Sequence, residues 1–256
     1  RACDYTVGSL SQLLSLLPSL PSSPRPRVCL TGDLNLNTSL VLSNVEVYVS
    51  GRVNQNSGTL TLNGARLVAG GNMNLKGVRA TESQLYTDGT LNFNQGGGGL
   101  DFSGSRVYGK TGIDFDSPAS FRDSRVFSGG SVNFNGNQKP LFSGDTLLAV
   151  NGSLIFNGSL KSEGGRSPLI VASGDVTFNG AYEDSLSASF IWTRGKVRFN
   201  GNTSYRGGIV SGGGVDVSPG GEGIVVHGGL DLYKTALDNS LVPKYLVGGV
   251  EVASRR

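Results

Sequence analysis

The sequence predicts an all-β fold, a single-stranded parallel β-helix (β-solenoid) of about ten coils with a short N-terminal capping helix. A motif of Gly, one further residue and then alternating apolar and polar residues recurs about every 20 residues along most of the chain. Its apolar residues stand two apart, which is the period of a strand and not of a helix. Gly supplies 40 of the 256 residues and charged residues only 16%, which is typical of short strands joined by tight turns.

Each repeat carries the pattern of three short strands. One strand follows the repeat glycine, as in Gly130-Ser-Val-Asn-Phe-Asn and Gly174-Asp-Val-Thr-Phe-Asn. A second strand precedes that glycine, because an apolar residue stands four positions before it in nearly every copy. A third apolar patch lies between them, as at Leu141-Phe142 and Leu160. Equivalent strands of successive coils should therefore stack about 4.8 Å apart.

Stacking of coils predicts columns of identical side chains. We expect one buried aromatic column and one column of asparagines at a corner, both structural and not ligand-binding. Asn tolerates the left-handed conformation of a sharp corner, and stacked amides can bond one another. The columns are Phe93, Phe115, Phe134, Phe156, Phe178 and Phe199, and Asn94, Asn135, Asn157, Asn179 and Asn200.

The repeat divides the chain into three parts. Residues 1–27 form an N-terminal cap of a helix and a Pro-rich lead-in, residues 28–232 form the solenoid, and residues 233–256 form a C-terminal non-repeat segment. In the last part, Tyr245–Val252 has the pattern of a strand or hairpin that pairs outside the solenoid. Caps are expected because a bare coil exposes its core and its strand edges.

A helix is predicted over Ser9–Leu17, with Thr6 or Ser9 as its N-cap. We expect it to cover the first coil, and a helix that binds a partner is the alternative. Its apolar face would contain Leu10, Leu13, Leu14 and Leu17, which follow helical spacing.

The chain has only two cysteines, Cys3 and Cys29, and one histidine. This set cannot build an ordinary zinc site. It favours a Cys3–Cys29 disulfide that tethers the cap to the solenoid, and hence an extracytoplasmic location. No apolar run reaches 18 residues, so we expect no membrane insertion by this segment. No cofactor or metal is expected.

Catalytic residues are sparse, and we expect a protein that is not an enzyme. Asp114 and Asp116 share one face of a strand, with Asp101 one coil earlier. A carbohydrate hydrolase with these carboxylates is one alternative. A structural calcium at Gly98-Gly99-Leu100-Asp101 is another. The single histidine, His227, is expected to be a surface residue.

The outward face carries a polar and basic column beside an aromatic one. Rows of Arg and Lys neutralise phosphates, and adjacent aromatic rings can stack on bases or sugars. A face that docks another protein and a plain structural surface are the alternatives. Candidate DNA-binding residues are Arg66, Arg106, Lys110, Arg122 and Arg125, and in a second cluster Arg194, Lys196 and Arg198. Candidate partner-docking residues are Tyr48, Tyr86, Tyr108, Phe127 and Trp192.

Three repeat strings resemble the β-solenoid regions of minor pilins of type IV pili, in the PilX-like group. They are Val-Ala-Ser-Gly-Asp-Val-Thr-Phe-Asn-Gly at 171–180, Val-Asn-Gly-Ser-Leu-Ile-Phe-Asn-Gly at 150–158 and Tyr-Arg-Gly-Gly-Ile-Val-Ser-Gly-Gly-Gly-Val-Asp-Val at 205–217. The resemblance covers about residues 28–232. It implies an extracellular domain at the cell surface or pilus tip that binds double-stranded DNA during natural transformation, with other pilins as partners. It implies no catalytic residues.

Overall fold

The computed structural model is a parallel β-solenoid of about ten turns, as the repeat predicts. It describes residues 1–136, 138–165, 167–185, 189–205 and 207–218, and for residues 184 and 185 the backbone alone. Within these ranges three sheets run along the solenoid, and every strand pair is parallel. One α-helix, α1 (Leu10–Leu16), precedes the coils and continues into a 3-10 turn at Leu17–Ser19.

Each sheet takes one strand from each coil, and the described strands divide as follows. Sheet I contains β1 (Tyr5–Val7), β2 (Arg27–Leu30), β5 (Glu46–Val49), β8 (Arg66–Ala69), β11 (Gln84–Thr87), β14 (Arg106–Gly109), β17 (Arg125–Ser128), β20 (Leu147–Val150), β23 (Leu169–Ala172), β26 (Ser189–Thr193) and β28 (Gly207–Ser211). Sheet II contains β3 (Leu34–Leu36), β6 (Val53–Gln55), β9 (Met73–Leu75), β12 (Thr90–Phe93), β15 (Gly112–Phe115), β18 (Val132–Phe134), β21 (Leu154–Phe156), β24 (Val176–Phe178), β27 (Val197–Phe199) and β29 (Val215–Val217). Sheet III contains β4 (Leu40–Ser43), β7 (Leu60–Asn63), β10 (Val78–Thr81), β13 (Leu100–Ser103), β16 (Ala119–Arg122), β19 (Leu141–Ser143), β22 (Leu160–Glu163) and β25 (Tyr182–Ser185).

The core lies between the three sheets, and the predicted aromatic column stands at its centre. Rings of neighbouring coils stack nearly parallel, with centroids 4.4–5.3 Å apart from Phe93 to Phe199. A second column of Phe102, Phe121 and Phe142 stacks in sheet III at 5.3 Å. The two columns meet edge to face, so the rings of sheets II and III form one continuous aromatic core.

From Asn135 to Asn200 the asparagine column forms the predicted ladder of hydrogen bonds between amides, but without the predicted left-handed backbone. Asn157, Asn179 and Asn200 each donate from Nδ2 to the asparagine of the previous coil, at 2.8–3.3 Å. None of the column has a left-handed backbone, so that part of the prediction was wrong. Asn is favoured here because its amide both donates and accepts along the stack. At the start of the ladder Asn135 donates to Asp116.

A buried ladder of hydroxyl groups fills the corner between sheets III and I, and the sequence analysis missed it. The backbone N–H of Ser83 donates to Ser105 Oγ at 3.1 Å, and the N–H of Ser105 donates to Ser124 Oγ at 3.2 Å. Each hydroxyl donates in turn to the carbonyl oxygen two residues earlier. These bonds satisfy polar groups that the corner shields from water.

The N-terminal cap covers the first coil, as predicted. Ser9 caps α1 through a bond from the Gln12 N–H to Ser9 Oγ, and Leu13 is fully buried in the core. The placement of Leu14 was wrong, because its side chain is exposed and Leu16 packs against the core instead. In the 3-10 turn, residues three apart lie on the same side, so Leu20 packs against the core on the same side as Leu17.

Two further features tie the cap to the solenoid. Strand β1 extends sheet I by pairing with β2, which the sequence analysis did not predict. The Cys3–Cys29 disulfide is present, with the two Cα atoms 5.8 Å apart. Disulfides persist in oxidising compartments, so this bond favours an extracytoplasmic location.

At the other end, Val215 and Val217 continue the core columns of sheet II but remain 43% and 49% exposed. The predicted coil at 219–232, His227 and the segment 233–256 lie outside the described residues.

Candidate nucleic-acid interface

The two outward columns of sheet I stand in the register that the repeat predicts. The polar column runs through Glu46, Arg66, Gln84, Arg106 and Arg125, which are direct partners in successive strands. The aromatic column stands two residues further along each strand, through Tyr48, Val68, Tyr86, Tyr108 and Phe127, and continues to Val171 and Trp192. Both columns face outward because the residue between them lies in the core.

At the N-terminal end of the polar column, the positive charge of the arginines is partly neutralised by Glu46. Arg25 and Arg27 hold the buried carboxylate of Glu46 at 2.7 and 3.3 Å. Burial alone raises the pKa of Glu46, but the hydrogen bonds from Arg25 and Arg27 outweigh it, so the pKa lies below its ordinary value. Arg27 also donates to the Tyr48 hydroxyl at 2.6 Å, and its guanidinium lies 3.9 Å from the centre of the ring.

Arg66 is held between two aromatic rings. Its guanidinium lies 4.9 Å from the ring centre of Tyr86 and 5.8 Å from that of Tyr48, within the range of cation–π attraction. The Nε atom is buried and has no hydrogen-bond partner. Arg66 therefore packs along the column and offers less of its guanidinium to a phosphate than a free arginine would.

Arg106 and Arg125 differ from these arginines, because neither forms an ion pair or a side-chain hydrogen bond within the described residues. The two are direct register partners in β14 and β17. Arg106 is exposed, whereas Arg125 is half-buried. Burial, followed by the charge of Arg106, lowers the pKa of Arg125. Two adjacent guanidinium groups that form no ion pair can bind an anion, although three carboxylates line the groove beside them.

A groove of about 390 Å³ runs beside this arginine pair. Ser105 lies in its wall, and the carboxylate residues Glu82, Asp123 and Asp145 line its other side at the corner between sheets III and I. These acidic residues were not predicted as part of the site. Glu82 and Asp123 have left-handed backbones, which the repeat pattern does not reveal, because the pattern is defined by its apolar positions.

Lys110 and Arg122, the other two residues of the first DNA-binding set, lie on different surfaces. Lys110 is exposed in the turn that follows β14, at the corner between sheets I and II. Arg122 ends β16 in sheet III, and its guanidinium is 3.9 Å from the carboxylate of the neighbouring Asp123. Of the five residues in the first predicted DNA-binding set, only Arg66, Arg106 and Arg125 therefore lie together on the outer face of sheet I.

The second basic cluster is largely compensated by acidic residues. Lys196 pairs with Asp216 at 3.1 Å, and Arg198 pairs with Asp175 at 2.6 Å. The backbone N–H of Lys196, and then Arg198, lower the pKa of Asp175. Arg198 faces outward from sheet II, while Arg194 follows β26 of sheet I, so the cluster straddles a corner and does not extend the arginine pair.

The aromatic column provides a partly exposed stacking surface. Tyr86 and Tyr108 meet edge to face with their ring centres 6.0 Å apart, and both are half-buried. Phe127 follows one coil later beside Arg125, and Trp192 lies three coils further on. Rings and arginines therefore lie side by side in two parallel columns on this part of sheet I.

The acidic residues considered for catalysis do not converge. Asp114 accepts a hydrogen bond from Asn133 at 2.9 Å and Asp116 one from Asn135 at 2.7 Å, so both belong to the amide ladders. Asp101 lies in sheet III, beside Arg79 and Lys139 in a groove of about 290 Å³. Within the described part of the chain there is no cluster of three or more His, Cys, Asp or Glu that could hold a metal ion.

No family model, no curated protein and no solved structure matches this chain. Among the residues that the structure describes, no helix is long and apolar enough to span a membrane.

Proposed function

We propose that this chain is a non-catalytic extracellular binding domain of a type IV minor pilin, which binds double-stranded DNA without sequence preference through its phosphates. The observation that carries the proposal is the arginine pair Arg106 and Arg125, aligned in register, without a carboxylate partner and beside the aromatic column. Phosphate contacts of this kind supply most of the affinity in non-specific DNA binding.

The location at a pilus tip, and a role in DNA uptake during natural transformation, rest on the resemblance of the repeat strings to minor pilins, and to the competence pilin ComZ in particular. The disulfide supports the extracytoplasmic part of this proposal. The net charge of the chain is only +3, so binding depends on local charge and not on the overall field.

The test is a fluorescence-anisotropy titration with two unrelated duplexes at about 50 and 200 mM salt, where phosphate contacts lose most of their affinity. Wild-type protein should bind both duplexes alike and weaken as salt rises. The variant Arg106→Glu/Arg125→Glu should bind more weakly and lower the salt slope by about 2, roughly one for each lost contact.

The matched control is Arg79→Glu/Lys139→Glu, which makes the same change in net charge on the outer side of sheet III. It should retain most of the affinity, because its residues lie away from the arginine pair. Equal losses in both variants would show that only net charge matters, and unchanged binding by the sheet I variant would reject this face as the interface.

A second candidate function is an adhesin or scaffold that docks another pilin through Tyr48, Tyr86, Tyr108, Phe127 and Trp192. The half-buried edge-to-face pair of Tyr86 and Tyr108 favours it, because aromatic residues are enriched in protein interfaces. The variant Tyr86→Ser/Tyr108→Ser should then lose a purified partner pilin but keep its DNA affinity. Loss of DNA affinity in the same variant would instead assign these rings to base or sugar stacking.

A further inference from the structure

Three columns of different chemistry run side by side along the outer face of sheet I, from β11 to β17. Neighbouring columns stand two residues apart along the chain, or about 7 Å. The acidic column lies at the corner before each strand, the polar column with the arginine pair comes next, and the outward aromatic column follows. By column, the members are Glu82 and Asp123, then Arg106 and Arg125, then Tyr86, Tyr108 and Phe127.

The acidic column is held at the corner by glycines of the following coils. A Cβ at Gly104 would clash with the carboxylate of Glu82, and a Cβ at Gly144 would clash with that of Asp123. Asp123 also accepts a hydrogen bond from the backbone N–H of Asp145 at 2.9 Å. Each carboxylate therefore lies over a residue without a side chain, and its charge stays beside the arginine pair. A nucleic acid held by this pair is repelled from the corner side, which leaves the ring side for the rest of the ligand.

The ring side of the arginine pair suits bases that are not paired. Tyr86, Tyr108 and Phe127 are half-buried and belong to three successive coils, about 4.8 Å apart along the axis. In a duplex the phosphates of one strand follow each other about every 3.4 Å, and the paired bases are turned away from an external surface. A single strand can extend to the spacing of the coils and turn its bases onto aromatic side chains.

We propose that this face binds single-stranded DNA along the axis of the solenoid and prefers it to the duplex. The phosphates bind the arginine pair, and the bases of successive nucleotides stack on the outward aromatic column. This preference rests on the proposed function, since it assigns the favoured form of DNA to the same site. Every base has a face that can stack, so the site should not discriminate among sequences.

The test compares three labelled ligands of equal length by fluorescence anisotropy: a single strand, its duplex and a single strand of abasic sugar-phosphates. Wild-type protein should bind the base-bearing single strand about tenfold more tightly than either of the others, the contribution of about one stacked base. Tyr86→Ser/Tyr108→Ser should remove most of this advantage and keep the duplex affinity, because the arginine pair is intact. The control Tyr5→Ser removes an exposed ring of β1, four strands away in sheet I, and should keep the full advantage.

A second variant tests the acidic column. Glu82→Gln/Asp123→Asn keeps the shape of both side chains and removes their charge. It should strengthen duplex binding more than single-strand binding, because the width of a duplex brings phosphates over the corner as well as over the arginine pair. The control Asp101→Asn/Glu183→Gln makes the same change in net charge on the outer side of sheet III and should leave the ratio of the two affinities unchanged.

The outcomes distinguish this proposal from the proposed function. A single strand that binds no more tightly than the duplex would overturn the preference and leave duplex binding standing, whereas a wild type that binds neither form would overturn both. Equal wild-type affinities for the base-bearing and the abasic strand would reject base stacking without the use of any variant. A ratio of affinities that is unchanged in Glu82→Gln/Asp123→Asn would contradict the role of the acidic column.

Discussion

Glu46 is the one charged side chain that is buried among the described residues, and it organises the first coils of sheet I. It bonds Arg25 from the Pro-rich lead-in and Arg27 from β2. Arg27 in turn holds the hydroxyl of Tyr48. A single carboxylate therefore fixes the chain before the first coil and the start of the aromatic column. Its charge is required because hydrogen bonds to charged groups are stronger than those between neutral ones.

Glu46→Gln should lower the free energy of unfolding by about 1.5–3 kcal/mol at neutral pH, the range for a hydrogen bond to a charged group. The pKa of Glu46 is lowered in the folded protein, so its contribution is full above the unfolded pKa and is lost as pH falls through the folded value. The unfolding free energies of wild type and variant, measured by urea denaturation, should therefore become more similar as the pH falls below about 5. A pH-independent difference would assign the loss to packing and not to charge.

A glycine is required where one coil crosses close above another. Gly58 has φ +76°, and a Cβ at this position would lie 2.4 Å from the backbone nitrogen of Ser39. Gly96 is also left-handed, with φ +90°, but has nothing within 4 Å of the same Cβ position. Substituting alanine at both positions therefore distinguishes the free-energy cost of a left-handed backbone from the cost of a steric clash with the neighbouring coil.

Gly96→Ala should cost about 1–2 kcal/mol of unfolding free energy, the penalty of a left-handed conformation for an L-residue. Gly58→Ala should cost about 2–5 kcal/mol, because overpacking against the neighbouring coil adds about 1–3 kcal/mol. Chemical denaturation of both variants measures the difference. Equal losses would mean that the coils separate enough at Ser39 to accept the methyl group.

At the scale of elements, the N-terminal cap is held by the pairing of β1 with β2, the buried Leu13 of α1, the Cys3–Cys29 disulfide and hydrogen bonds that join Arg1 and Asp4 to Arg25 and Arg27. The periodic pattern predicted the helix and the disulfide. It missed β1, because three residues outside the repeat carry too little alternation to indicate a strand. It also placed Leu14 on the buried side of the helix, whereas that side is centred on Leu13 and leaves Leu14 exposed.

The double variant Cys3→Ser/Cys29→Ser should lose about 3–4 kcal/mol of stability, the loop-closure effect for a sequence separation of 26 residues. Hydrogen exchange should increase first in β1, since Cys3 lies just before this strand and β1 pairs with the solenoid along one edge only. A reducing agent should destabilise the wild type and leave the variant unaffected. If reduction leaves exchange in β1 unchanged, the noncovalent contacts hold the cap without the disulfide.

At the scale of the whole molecule, the repeat predicted the columns, because one strand register fixes every residue that faces inward or outward. It could not predict which arginines and lysines form ion pairs with acidic residues. Lys196, at the corner before β27, pairs with Asp216 of β29, and Arg198 of β27 pairs with Asp175 at the corner before β24, so each ion pair joins a corner residue to a strand of a neighbouring coil. Corners vary in length from coil to coil, so the sequence pattern is weakest where the charges meet.

A solenoid is stabilised by contacts between neighbouring coils, so the position of a substitution along its axis should decide its effect. Phe156 stacks between Phe134 and Phe178, whereas Phe199 stacks on Phe178, meets Tyr205 at a tilt and lies one coil from the exposed Val215 and Val217. Phe156→Ala should therefore lower the global unfolding free energy by about 3–5 kcal/mol. Phe199→Ala removes an equally buried ring but should mainly accelerate hydrogen exchange in β27 and β29, with a smaller change in the global midpoint. Equal global losses would show instead that all the coils unfold as a single cooperative unit.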